Sequence, residues 1–192
     1  MPVSPVAIVT GGAQGIGAAV CIELLKNGYR VCVADIEDLK AEEFVREQEK
    51  SFGKGNVIAI HCDVSKESDY SKLFEETLKY FKRVDVLINN AGVLLEHDPR
   101  KSLEVNLLGP LFGCHAALKY MGKSKGGNGG VVINTASLAD WIFGFSGARA
   151  IFGSIRRLNI SLPNTLTTIV PGEFEKGETG WAAYPSECPT EE

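Results

Sequence analysis

No two cysteines in this 192-residue chain are spaced as CxxC, and none of the five (Cys21, Cys32, Cys62, Cys114 and Cys188) has a histidine nearby at a zinc-binding spacing. A metal centre or dithiol redox site is therefore not expected, and four of the thiols sit in apolar segments that read as core. There is no basic patch either. With 20 Lys and Arg against 24 Asp and Glu, the net charge of -4 argues against nucleic acid or an acidic membrane surface as a partner. No apolar run approaches the roughly 18 residues of a membrane span. The opening MPVSPVAIVT lacks the basic flank and cleavage pattern of a signal peptide, so the cytoplasm is the expected compartment. Internal repeats are absent, and one α/β domain of this length can bury roughly 70% of its unfolded-chain surface.

What the chain does have is Thr10-Gly11-Gly12-Ala13-Gln14-Gly15-Ile16-Gly17, between a short apolar segment at 6–9 and a helical pattern over 15–27. Glycines after a strand let backbone approach a pyrophosphate, and the helix that follows aims its unpaired N–H groups and positive dipole end at the anion. The helical pattern puts Ile16, Val20, Leu24 and Leu25 on one face, and Gly28 stops it. A second apolar run over 31–34 ends in Asp35, close to the separation of about 20 residues at which an acidic side chain accepts the ribose hydroxyls of a dinucleotide. NAD is the expected cofactor, because a carboxylate there repels the 2′-phosphate of NADP and no Arg or Lys lies between Thr10 and Gly17 to offset it. The alternative is a Gly-rich turn without a ligand, with Asp35 merely capping the next helix.

Strand and helix then alternate, which predicts a doubly wound, Rossmann-like parallel sheet in a single domain, with right-handed crossovers. A charged helix is expected over 37–50, a strand over 56–62 and a helix to about Phe81, N-capped by Ser65 and apolar at Tyr70, Phe74, Leu78 and Phe81. Strand four is placed at 84–88 and ends in Asn89-Asn90-Ala91-Gly92. One long helix over 102–121 follows, containing Asn106 and disturbed near Gly109-Pro110. A Gly- and Lys-rich loop leads to strand five at 131–135. The sheet is expected to stop at about strand six, with 1–172 forming the domain and 173–192, rich in Gly, Glu and Pro, a disordered tail.

The set TGGAQGIG, CDV at 62–64, NNAG at 89–92, VNLLG around Asn106 and INTASLA after strand five resembles the short-chain dehydrogenase/reductase family over about 6–139. The wording LKYMGKSKGGNGGVVINTASLA is most similar to an NAD-dependent branch that oxidises a secondary alcohol on a lipid, which implies a small-molecule lipid alcohol as substrate. The resemblance implies that Gly11, Gln14, Gly15, Ile16 and Gly17 hold the pyrophosphate and that Asp35 holds the adenosine ribose, with Ile36 beside it also counted among the cofactor-binding residues. It further assigns Asp63 and Val64 to the adenine, Asn90 to the neighbouring ribose region, and Pro171 and Gly172 to a cofactor-side turn. Ser137 and Asn106 match the family's catalytic Ser and Asn. The family's assembly through two long helices implies homo- or hetero-oligomers, here through 102–121 and an abbreviated 147–159.

The catalytic Tyr and the Lys four residues after it, which the resemblance leads one to expect, are missing. Alcohol oxidation needs a base for the hydroxyl proton, and a Tyr with a lowered pKa beside a Lys ammonium supplies one. The residues four after Tyr29, Tyr70, Tyr80, Tyr120 and Tyr184 are Val33, Phe74, Val84, Ser124 and Cys188. The nearest counterpart, Phe145-Ser146-Gly147-Ala148-Arg149, keeps the spacing without the phenol, and Arg149 is neither deprotonatable nor isosteric with Lys. Impaired turnover is expected. The alternatives are a non-catalytic NAD-binding or partner protein, or an unstable product of altered splicing.

Overall fold

The computed structural model describes residues 4–95 and 97–135, with the backbone of two later strands. Five parallel strands, β1 (Val6–Thr10), β2 (Arg30–Asp35), β3 (Val57–His61), β4 (Val86–Asn89) and β5 (Val131–Thr135), are joined through α1 (Gly15–Lys26), α2 (Asp38–Phe52), α3 (Glu67–Phe81), α4 (Pro99–Leu103) and α5 (Gly109–Met121). Strand β6 (Leu166–Val170) adds in parallel beside β5, and β7 (Ala182–Ala183) adds antiparallel beside β6. The sheet order is β3-β2-β1-β4-β5-β6-β7, so the expected doubly wound sheet is present. It runs one short strand further than the sequence suggested. That strand is too brief and alanine-rich to carry a periodicity. The rest of 173–192, and the helix expected at 147–159, lie outside the described residues.

Strand alternation sorts the core into two layers. Val6 and Ile8 of β1 and Cys32 and Ala34 of β2 point to the face covered by α3 and α5, where Tyr70, Leu73, Phe74 and Cys114 meet them. Val9, Val31 and Val33 point to the other face, onto Cys21 and Leu25 of α1 and Ala41 and Phe44 of α2. A parallel sheet buried on both faces is the arrangement that such near-continuous apolar strands require. The four described cysteines are buried and unpaired, as their apolar neighbours suggested. At the strands' entry end Asp85 ties the centre together: its Oδ2 accepts the Val6 N–H at 2.7 Å, and Arg83 pairs with both carboxylate oxygens at 2.8 and 2.6 Å.

Three local expectations are corrected. The buried stripe of α1 is Gly17, Cys21 and Leu25, and Ile16 is 55% exposed, because the first turn of α1 overhangs the strand ends instead of lying on the sheet. Lys66, not Ser65, stands at the N-cap of α3, since the Ser65 hydroxyl donates to Asp63 Oδ1 at 2.6 Å. The single helix expected over 102–121 is three pieces, with the π-helical turn Glu104–Leu108 between α4 and α5. Pro110 has no N–H to return to the Asn106 carbonyl four residues back, so regular α-helical bonding cannot run through this point. Among the described residues, no helix is long and apolar enough to cross a membrane.

Candidate functional site

The strand order reverses between β1 and β4, and the crevice at the carboxyl ends of these neighbours is where an open α/β sheet takes its ligands. The glycine-rich turn lies there. Gly11 (φ +62°) donates to the Ala34 carbonyl at 2.8 Å, and a Cβ on it would stand 2.9 Å from Ala91 Cα, so only glycine lets the turn rest on the loop after β4. A Cβ on Gly17 would collide with the Gly11 carbonyl and stand 2.7 Å from Asn90 Nδ2. Gly15 is different. At φ +56° its missing Cβ would meet nothing within 4 Å, so this face of the turn is open.

The amides of the first turn of α1 are available to an anion. The N-cap, Gln14, makes no side-chain cap and the first turn itself holds no acidic residue, so no side chain of α1 occupies the amides at the positive end of this 12-residue helix. The cradle therefore fits a dinucleotide pyrophosphate, with Gln14, Gly15 and Ile16 exposed on the open side and Gly11 and Gly17 serving the close packing behind it.

Asp35 ends β2 and is 7% exposed. Its Oδ2 accepts the Ala13 N–H at 3.0 Å and its Oδ1 accepts the Glu37 N–H at 3.1 Å. The carboxylate is thus locked between the glycine-rich turn and the start of α2, with lone pairs left for hydroxyl donors. Ile36 beside it is 55% exposed. Beyond β3, the buried Asp63 accepts the Ser65 N–H at 3.1 Å and pairs with Lys66 at 3.3 Å. Burial pushes the Asp63 carboxyl upward, but the Ser65 hydroxyl and N–H, with Lys66 and Lys101, outweigh it and hold the group below its ordinary value. Val64 is buried and packs its side chain on Gly109.

Asn90 donates from Nδ2 to the carbonyls of Thr10 at 3.0 Å and Gly11 at 3.3 Å, while Thr10 Oγ1 accepts the N–H groups of Asn90 and Ala91. Its amide therefore shapes the turn. Asn106, 2% exposed, sits in the π turn and is fastened to the backbone of Val93. Of the expected residues, Gly11, Gln14, Gly15, Ile16, Gly17, Asp35, Ile36, Asp63, Val64, Asn90 and Asn106 are described, and those assigned to the cofactor lie at the end of β2, in the loops after β1, β2, β3 and β4, or in the first turn of α1. Ser137, Pro171 and Gly172 lie outside the described residues, as do Phe145 and Arg149.

Sequence reasoning missed the buried chain beneath the site. Tyr70 donates its hydroxyl to Asn89 Oδ1 at 2.9 Å, and Asn89 Nδ2 donates to Asn134 Oδ1 at 2.8 Å. Tyr70 is no candidate base, because burial raises its phenol well above the ordinary value. The only available signal was an asparagine ending β4 and another one residue before the end of β5. Among the described residues no group of acidic, His or Cys side chains could hold a metal ion.

The family described as short chain dehydrogenase matches residues 5–146. Human 15-hydroxyprostaglandin dehydrogenase (NAD(+)) is 32% identical over 192 residues, covering 90% of this chain and 72% of that protein. Momilactone A synthase of Oryza sativa subsp. japonica is 36% identical over 152 residues, covering 74% of this chain and 53% of that one. Among solved structures, a short chain dehydrogenase/reductase from Burkholderia phymatum in complex with NAD superposes with a TM-score of 0.70 at 23% identity, a likeness of fold. The match covers 80% of this chain and 57% of that structure's chain.

Proposed function

Since the chain belongs to the short-chain dehydrogenase family, with oxidoreductases as its relatives, we propose that it is an NAD-binding member whose alcohol-oxidising step is impaired. The observation that carries the cofactor half is the locked Asp35 carboxylate, which touches the glycine-rich turn at Ala13 beside a cradle open at Gly15. Gln14, Gly15 and Ile16 would hold the pyrophosphate, Asp35 the adenosine ribose, and Asp63 and Val64 the adenine. The similarity to 15-hydroxyprostaglandin dehydrogenase supports a secondary alcohol on a lipid as the substrate class.

Bound NAD would supply the hydride acceptor. This chain's part is to orient the alcohol and take its proton. Ser137 would hydrogen-bond the alcohol oxygen. Asn106 has both ends of its amide engaged by Val93, so it acts by holding the loop after β4 in place. The proton has no matching acceptor, because the nearest counterpart of the family's Tyr and Lys in this sequence is Phe145 and Arg149. Loss of a general base costs about 10²- to 10⁴-fold in rate.

Two measurements test this. Saturating NAD at about 100 times its dissociation constant should stabilise the chain by about 2.7 kcal/mol in a thermal melt, and NADP should do less. NAD reduction with a 15-hydroxy lipid should be slower than in the human relative by at least about 100-fold. A full-rate reaction would sink the base defect, and a melt unmoved by NAD would sink the cofactor reading.

A further inference from the structure

The two loops that flank Asp35 are bridged by three exposed side chains. Gln14 of the glycine-rich turn donates from Nε2 to Glu37 Oε2 at 3.2 Å, and its Oε1 accepts from Lys40 Nζ at 3.2 Å. Lys40 Nζ also reaches Glu37 Oε2 at 2.6 Å, closing a triangle. The amide is oriented by this arrangement, since its NH₂ meets the carboxylate and its oxygen meets the ammonium. Asp38, inside the same segment, is engaged elsewhere, with His61 Nδ1 at 2.7 Å.

This places a cation where the sequence alone showed none. Lys40 is the one cationic side chain hydrogen-bonded to the glycine-rich turn among the described residues, and Gln14, which it touches, follows the Ala13 whose N–H binds Asp35. An ammonium beside the adenosine ribose would attract a 2′-phosphate. Here Glu37 neutralises it at close range, so the negative charge of Asp35 is left unopposed.

We propose that Glu37 is a specificity-determining residue which masks Lys40, so that cofactor choice rests on the Glu37–Lys40 pair as well as on Asp35. The proposal builds on the NAD reading above. Removing the Glu37 charge leaves Lys40 held by Gln14 Oε1 next to the turn, free to pair with a phosphate, while Asp35 still accepts ribose hydroxyls. The gain is bounded, because the pair is half exposed and Asp35 keeps its repulsion.

The test is equilibrium binding of NAD and NADP to the full chain at low salt, with a thermal melt of each variant as the folding control. Glu37→Gln should tighten NADP about fivefold and move NAD by less than about twofold. Adding Lys40→Met to Glu37→Gln should abolish the gain, and raising salt should shrink it. An NADP affinity unchanged in Glu37→Gln, with NAD still bound, would overturn the masking. So would a gain that survives in the double variant, because charge removal alone would then explain it. Parent protein that binds neither nucleotide would instead overturn the cofactor reading, and this proposal with it.

Discussion

Asn106 grips Val93 at both ends of its peptide groups: Asn106 Oδ1 accepts the Val93 N–H at 2.8 Å, and Asn106 Nδ2 donates to the Val93 carbonyl at 2.7 Å. One buried amide thus ties the π turn of the long helix to the loop after β4. Asn106→Ala leaves both Val93 groups without that partner and should cost about 2–4 kcal/mol of unfolding free energy, from the usual penalty per unpaired buried group. Asn106→Asp should cost at least as much, because a carboxylate cannot donate to the carbonyl. Urea titration checks this. A loss below about 0.5 kcal/mol in both would mean that water replaces the amide.

Gly15 and Gly17, two residues apart, should respond differently to alanine. A Cβ at Gly17 strikes the Gly11 carbonyl behind the turn, so Gly17→Ala should lower stability by about 1–3 kcal/mol and weaken NAD binding together. A Cβ at Gly15 meets open space and suffers only its left-handed backbone, about 1–2 kcal/mol. NAD should nevertheless weaken at least tenfold in Gly15→Ala, because the added methyl occupies the face that a pyrophosphate must approach. Thermal melts with and without nucleotide separate the two. Unchanged NAD affinity in Gly15→Ala would contradict the assigned face.

The Tyr70 hydroxyl is the outer end of the buried chain through Asn89 to Asn134. Tyr70→Phe keeps the ring in the core and removes one donor, leaving Asn89 Oδ1 short of a partner at a cost of about 1–2 kcal/mol. Asn134→Ala should cost a similar amount, and the double variant should lose less than the sum if the chain acts as a unit. Strict additivity in a double-mutant cycle would argue against such coupling.

Alkali should destabilise this fold earlier than its surface charge suggests. Burial pushes the Cys32 and Cys62 thiols up to about 12 from an ordinary value near 9. Between those limits the unfolded chain loses protons that the folded chain keeps, so stability is full below about pH 9 and falls as pH rises toward 12. Each thiol contributes about 1.4 kcal/mol per pH unit inside the window. Denaturant midpoints measured from pH 8 to 11 should show this slope, and Cys32→Ala should make it shallower. A flat profile would mean that the thiols ionise in the folded state.

Legibility in the sequence followed the range of the interactions. The glycine-rich turn, Asp35 at the end of β2 and the alternation of strand and helix depend on residue types at short, fixed spacings, and the structure has them. Ile16 was assigned to the buried face because periodicity assumes that a helix lies on its sheet along its whole length, whereas the first turn of α1 overhangs the crevice. Ser65 looked like a cap because Ser favours that position, yet the neighbouring Asp63 outcompetes the helix amides for its hydroxyl. The disturbance expected at Gly109-Pro110 was real, but it is expressed upstream, in Glu104–Leu108. Asn89 with Asn134, and Lys40 with Gln14, are partners only through the fold, and no local pattern announces them.

The placing of β1 between β2 and β4 has a kinetic side. Val6 waits for Asp85, 79 residues later, before its N–H finds the carboxylate that closes the centre of the sheet. Pairing β1 with β2 closes a much shorter loop, so the outer seams of this half-sheet can zip while its central seam is still open. Chains dominated by such distant parallel pairings fold slowly. The crevice between β1 and β4 is therefore closed only when β4 docks, whereas the turns that follow β1, β2 and β3, with Ala13 already bonded to Asp35, belong to the half that can form before it.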